Sequence, residues 1–433
     1  MSVALADGRS RSPIERVVII NDDCVESGGA AAIALSSAGL LRHRGIPVTF
    51  LSGGPGPQPI LSESGVELIC LGGQNLWNGR RHNAAARGLF DSRTAAALSA
   101  WLGANDTPGT CYHVHNWHKY LSPSIFGPLR RVQERLSLTA HDYFLACPNG
   151  GFFHYPREQA CDLKPGTVGC VLANCDRRNY GHKLWRVVRH KIRESIIDFQ
   201  HSPARVIAVH EGMIPFLTRG GIPKSSITVL RNPVMPWRTT RVPAERNRDV
   251  MFVGRIEEDK GISQLAAAAR EADVSLRVIG DGPLAGDLQK KYPEVTFLGW
   301  RPRQEIGQLI RSARMLVLPS RWHETFGLVA LEALMSGVPV IMSKFALLSE
   351  DLVASGFGLA CDPHDIHSLG HAIRSLVDDD DRVRQLSVSA FFGARSLAPT
   401  PEQWCDELVD LYQALLKASA ASYQPDRSAP AWS

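Results

Sequence analysis

"LVLPSRWHETFGLVALEALMSGVPVI", residues 316–341, reads as a strand, a polar loop, a helix and a second strand. Residues 316–318 and 338–341 are short apolar runs bounded by proline or glycine, the pattern of parallel strands buried on both faces. Between them the spacing predicts one crossover helix, capped near Thr325 and ended by Gly337. A strand–helix–strand unit of this kind sets the fold class as α/β with a parallel sheet. Its unusual feature is a pair of carboxylates, Glu324 and Glu332, in apolar surroundings.

If the chain is helical from Glu324 onward, the two carboxylates lie roughly 12 Å apart along the axis, about the length of a pyrophosphate with a group attached at each end. The helix N-terminus between them favours an anion. A nucleotide sugar has this layout, a central diphosphate with hydroxyls at both ends. The plainer alternative is that Glu332 faces solvent and Glu324 only supports the first turn. A second stretch, "DVMFVGRIEEDKGISQL" (residues 249–265), carries an apolar strand into Gly254, then Arg255 and Lys260, before a helix that starts near Ile262. Cations at the carboxyl end of a parallel strand stand where open α/β sheets bind ligands, and there they can neutralise a departing diphosphate. "RVIGDGPL" (residues 277–284) repeats the arrangement, with Gly280 and Gly282 letting backbone come close to a ligand.

"GRIEEDKG", "GDGP", "FLGW" and the Glu324/Glu332 pair resemble, in order and spacing from about 249 to 363, the donor half of the retaining glycosyltransferases of family 4, the glycosyl transferases group 1. The resemblance implies a GT-B fold: two Rossmann-like parallel-sheet domains facing across a cleft, with a C-terminal helix crossing back to the first. It implies that Arg255 and Lys260 hold the diphosphate, that Glu324 takes the donor sugar hydroxyls with Thr325, Phe326 and Gly327 beside it, and that Glu332 takes the ribose. It also implies transfer with retention from a nucleotide-diphosphate sugar to a hydroxyl of a glycan or lipid-linked acceptor, in polysaccharide or glycoconjugate biosynthesis. No metal or cofactor is called for, because Arg255, Lys260 and the helix start supply the positive charge. Two rival readings share the sheet and the phosphate cations: a GT-B epimerase or phosphorylase, and a non-catalytic binding protein of the same fold.

The amino-terminal half fits such an organisation. Residues 16–20 read as a strand, Gly28 and Gly29 open an alanine-rich helix, and residues 47–53 form the next strand, a βαβ unit that admits a phosphate or sugar at its first turn. The turn lacks G-x-G-x-x-G, which disfavours a dinucleotide. Strands at 109–116 and 136–144 end in His115 and His141, each either a cleft residue or a hydrogen-bonded core histidine. The resemblance favours His141 as the catalytic one, near the reacting carbon together with Glu324, Arg255 and Lys260. The expected domains are 14–235, with a cysteine-rich insertion near 147–175, and 245–398, then a crossover helix at 400–418 and a disordered tail at 419–433.

Within the insertion, Cys147, Cys161, Cys170 and Cys175 have three readings: a structural zinc clamp, reduced thiols or a disulfide. The following segment holds seven Lys or Arg between 177 and 193 and no carboxylate. Leu184, Val188, Ile192 and Ile196 recur every four residues, so the periodicity predicts an apolar face turned inward and Arg186, Arg189 and Arg193 turned outward, toward solvent or an anionic membrane. The 433 residues are 44% hydrophobic and 21% charged, enough for two full cores. The net charge of +5 is too diffuse to indicate nucleic acid. With no long apolar segment and no signal-peptide core, the expected location is the cytoplasm, peripherally at the inner membrane face if the basic helix touches lipid.

Overall fold

The computed structural model describes residues 14–26, 28–56, 59–76 and 81–422. It contains two fully parallel sheets. The first is built from β1 (Arg16–Asn21), β2 (Val48–Ser52), β3 (Glu67–Cys70), β4 (Thr110–Val114), β5 (Leu136–Ala140), β8 (Arg205–Ala208) and β9 (Ile227–Val229), in the order β3-β2-β1-β4-β5-β8-β9. The insertion adds a small antiparallel hairpin, β6 (Phe153–His154) with β7 (Gln159–Ala160). The second sheet runs β12-β11-β10-β13-β14-β15, with β10 (Asp249–Val253), β11 (Leu276–Ile279), β12 (Thr296–Phe297), β13 (Ala313–Leu318), β14 (Val340–Ser343) and β15 (Gly358–Cys361). In the central strands β13 and β14 every residue is buried, mostly Val, Ile, Leu and Met, as expected where helices cover both faces of a sheet.

Each sheet reverses its strand order once, between β1 and β4 in the first and between β10 and β13 in the second. A crevice opens at the carboxyl ends of the strands at such a point, and the two crevices face one another. Contacts across the cleft are direct: the Thr325 hydroxyl donates to the His141 carbonyl at 2.7 Å. Arg177 of the first domain pairs with Asp259 of the second at 2.7 Å, and Glu158 of the insertion pairs with Arg321. The helix Pro401–Ser422 returns to the first domain, burying Trp404, Leu408 and Tyr412 against Val17, Ile19 and Leu41. It runs four residues past the expected crossover, so residues 419–422 are helical and not tail; 423–433 lie outside the described residues.

The largest departure from expectation is the basic helix, Tyr180–Ile196, whose basic face points inward. Lys183, Arg189 and Arg193 are buried, whereas Leu184 and Val188 are exposed at 38% and 48%. The reason lies in what receives the cations. Arg189 donates to the carbonyls of Trp117 and Leu121 at 3.3 Å, and its guanidinium lies 5.1 Å from the centre of the Trp117 ring and 5.6 Å from that of Trp185. Arg193 donates to the Leu145 carbonyl at 2.7 Å, and Arg186 bonds the Asn149 carbonyl and the buried Asp176. Carbonyls of the loops after β4 and β5, together with aromatic faces, thus take the place of solvent. These three arginines are therefore not a membrane-facing stripe, and the lipid reading built on them falls. No helix among the described residues is long and apolar enough to cross a membrane.

Candidate functional site

Glu324 follows β13 and sits in the loop that closes over the end of that strand. Lys260 Nζ donates to its Oε1 at 3.0 Å and Ser320 Oγ to its Oε2 at 2.6 Å. Burial pushes this carboxyl up, but Lys260 and Ser320 outweigh it and hold it below the ordinary glutamate range. Lys260 reaches Glu324 because Gly261 brings the loop after β10 against Pro319. Gly261 has φ 69°, and a Cβ there would lie 2.0 Å from the Pro319 carbonyl oxygen. Arg255, also after β10, is 57% exposed and tethered to Glu257 at 2.8 Å. It is the cation of this loop best able to turn toward a ligand.

The glycines act between loops of the protein itself. A Cβ on Gly280 would lie 1.8 Å from the Gly254 carbonyl oxygen, and one on Gly282 would lie 2.4 Å from that of Ile256. Close approach of neighbouring strand ends, and not first of all approach to a ligand, is what requires glycine at these two positions.

The helix of the 316–341 unit is shorter than the spacing suggested. It spans Leu328–Leu334, preceded by Gly327 at φ 84°. Thr325 therefore caps nothing and bridges instead to His141, while Phe326 is a core side chain at 3% exposure. Gly29 stands opposite, its would-be Cβ 3.0 Å from Leu328 Cδ1, and the space around Gly28 is open. Glu332 lies on the helix at 16% side-chain exposure and is ion-paired with Arg303. Arg303 also donates to the Pro236 carbonyl at 3.1 Å. Burial raises the Glu332 carboxyl above its ordinary range despite Arg303. No sequence motif marked Arg303.

His141 follows β5, half-buried, directly across from Thr325. It ends a column of histidines. His141 Nε2 lies 2.9 Å from His115 Nδ1, the His115 ring stacks on His113 with centroids 4.2 Å apart, and His113 bonds Tyr412 Oη at 2.6 Å and Thr139 Oγ1 at 2.7 Å. Burial drives His113 and His141 down to about 3 and His115 well below its usual value, so all three are neutral at pH 7. Both strand-end histidines are thus explained, His141 at the cleft and His115 behind it. Asp142 accepts the Phe144 N–H at 2.9 Å and fixes the turn. A further residue was invisible to pattern reading: Asp22, after β1, accepts four consecutive backbone N–H groups, those of His118, Lys119, Tyr120 and Leu121, at 2.7–2.9 Å. It pins the loop after β4 beside the switch point.

The four cysteines of the insertion do not form a metal clamp. Among the described residues no group of three or more His, Cys, Asp or Glu could hold a metal ion, and all nine cysteines are free thiols. The Lys183 ammonium stands 3.6 Å from Cys170 Sγ, and the Asn149 amide contacts Cys147 and Cys175 at 3.1 and 3.2 Å. Three of the four sulfurs are thus engaged by polar side chains of the insertion and its neighbouring helix.

Residues 237–390 match the family Glycosyl transferases group 1. The matched segment, 154 of the 433 residues, is similar to the group 1 glycosyl transferase domains. Glycogen synthase of Mycobacterium tuberculosis (strain CDC 1551 / Oshkosh) is 29% identical over 220 residues, 48% of this chain and 52% of that protein. GDP-mannose-dependent alpha-mannosyltransferase of Corynebacterium glutamicum is 32% identical over 178 residues, 41% of this chain and 42% of that protein. The chain thus spans about half the length of the curated relatives it matches. Among solved structures, sucrose-phosphate synthase of Thermosynechococcus elongatus superposes with a TM-score of 0.69 at 18% identity, over 93% of this chain and 100% of that one. HepE of Anabaena in complex with UDP and glucose gives 0.63 at 15% identity, over 91% and 98%. The likeness extends beyond the group 1 domain to both sheets, and the fold is GT-B.

Proposed function

We propose that the protein is a retaining glycosyltransferase that moves a sugar from a nucleotide-diphosphate donor to a hydroxyl of a glycan or lipid-linked acceptor, in the building of a polysaccharide or glycoconjugate. The observation that carries this reading is the Lys260–Glu324 pair, fixed at the switch point of the second sheet, with His141 of the first domain next to its loop through Thr325. Glu324 is held ionised and can accept hydrogen bonds from sugar hydroxyls. Lys260 and the exposed Arg255 can meet the diphosphate, whose departure needs charge stabilisation and no protein nucleophile. Glu332, farther along the same unit, would accept from the ribose hydroxyls, and the open space around Gly28 on the opposite wall leaves room for the donor. Retention follows from the family resemblance, and UDP and glucose bound to HepE supply the precedent for the donor class.

The test is a thermal-shift series with UDP-, GDP- and ADP-sugars. A donor bound only by the native state stabilises it by about 2.7 kcal/mol at a hundred times its Kd. One donor class should raise the melting temperature, and Lys260→Ala should abolish the rise. If no nucleotide sugar shifts the wild type, the reading is wrong.

A further inference from the structure

Two neutral imidazoles joined by one N···N contact share a single proton, and which ring owns it decides what the other end of each ring can do. The His115 and His141 rings are nearly coplanar, 18° apart, with centroids 5.2 Å apart and Nδ1 to Nε2 at 2.9 Å, the geometry of one in-plane N–H···N bond. The far nitrogen of His115, Nε2, is buried and meets no hydrogen-bond partner. If His141 were the donor, His115 would have to carry its hydrogen on that Nε2, leaving an orphaned buried N–H. If His115 donates from Nδ1, the orphan is only an unshared lone pair. Native interiors tolerate an unmatched acceptor more readily than an unmatched donor. In the second arrangement His141 accepts at Nε2 and must carry its hydrogen on Nδ1. That atom bonds no described residue and is not among the buried unpartnered atoms, so it is open to the cleft.

We propose that His115 is a positioning residue that fixes His141 as the Nδ1–H tautomer, so that His141 serves the transfer as a hydrogen-bond donor to an oxygen of the bound sugar nucleotide and not as a proton-accepting base. The stack beneath supports it. His113, saturated by Tyr412 and Thr139, lies against the His115 ring and keeps it from turning over to exchange its nitrogens. The crossover helix thus reaches the cleft through Tyr412, His113 and His115. The role in transfer rests on the function proposed above; the tautomer does not.

The experiment is a long-range proton–nitrogen correlation spectrum of the ligand-free protein with 15N-labelled histidine at pH 7, with His141 assigned by its disappearance in His141→Gln. The expected spectrum shows His141 neutral with its hydrogen on Nδ1. His115→Asn keeps an amide N–H at the place of Nδ1 and should preserve that tautomer, whereas His115→Gln moves the amide away from it and should release His141 to the Nε2–H form. With saturating donor, His115→Gln should lower kcat about tenfold or more, and His115→Asn should restore most of it. An Nε2–H tautomer in the wild type, or an unchanged tautomer in folded His115→Gln, overturns the proposal. The expected tautomer series with no nucleotide sugar bound would leave the positioning intact, remove its place in transfer and count against the function proposed above.

Discussion

Replacing Glu332 with Gln is the sharpest probe of the proposed donor site. The side chain is 16% exposed and its carboxylate meets the Arg303 guanidinium. In the variant Arg303 keeps the Pro236 carbonyl and is itself 46% exposed, so the stability change should stay below about 1 kcal/mol, as for pairs with one partner open to solvent. Nucleotide binding should respond far more. A carboxylate accepting from ribose hydroxyls contributes about 1.5–3 kcal/mol per bond, and losing one such bond raises Kd about ten- to a hundredfold. The assay is calorimetric titration of wild type and Glu332→Gln with UDP, GDP and ADP and with their 2′,3′-dideoxy forms. Wild type should lose the same factor when the hydroxyls are removed as it loses when Glu332 is changed, and the variant should no longer distinguish the two forms. A variant that still prefers the intact ribose by the wild-type factor would refute the assignment of Glu332.

Three further outcomes test the site and its frame. His113, His115 and His141 are held neutral in the fold with depressed pKa values, so the unfolded chain binds more protons than the native one below pH 6.5; their contribution is present above that pH and is lost as pH falls toward about 3. Unfolding free energies from urea titrations should therefore fall between pH 6.5 and pH 5, by about 1.4 kcal/mol per pH unit for each histidine that stays neutral, and a flat profile would contradict the buried column. Arg189→Met strands carbonyls at Trp117 and Leu121 and should lower stability by about 1–3 kcal/mol, whereas Leu184→Gln on the exposed face should change it by less than about 0.5 kcal/mol; the opposite ranking in denaturant melts would show the helix to be turned the other way. Gly280→Ala, with its Cβ 1.8 Å from the Gly254 carbonyl oxygen, should lower stability by at least about 2 kcal/mol and reduce donor binding with it, and a native melting temperature would contradict this packing of the two loops.

What the sequence by itself determined is what short-range pattern can carry. Apolar runs cut by glycine and proline located β10, β11, β13 and β14, and in a parallel sheet the residues after such runs gather at one edge, so the clustering of Arg255, Lys260 and Glu324 was legible without coordinates. Only the tertiary structure decided the rest, because it turns on what a residue meets from far along the chain. The helix Tyr180–Ile196 is amphipathic in either orientation, and its periodicity is silent on which face is buried. The burial of its arginines depends on carbonyls and aromatic rings supplied by residues 117–149, which accept their hydrogen bonds and cover their stems. Thr325 looked like a cap by its position before an apolar run, but Gly327 at φ 84° delays the helix and frees the hydroxyl to meet His141, 184 positions away. The histidine column joins positions 113, 115 and 141 to Tyr412, and no local spacing encodes a bond between a strand of the first domain and a helix that returns after the second.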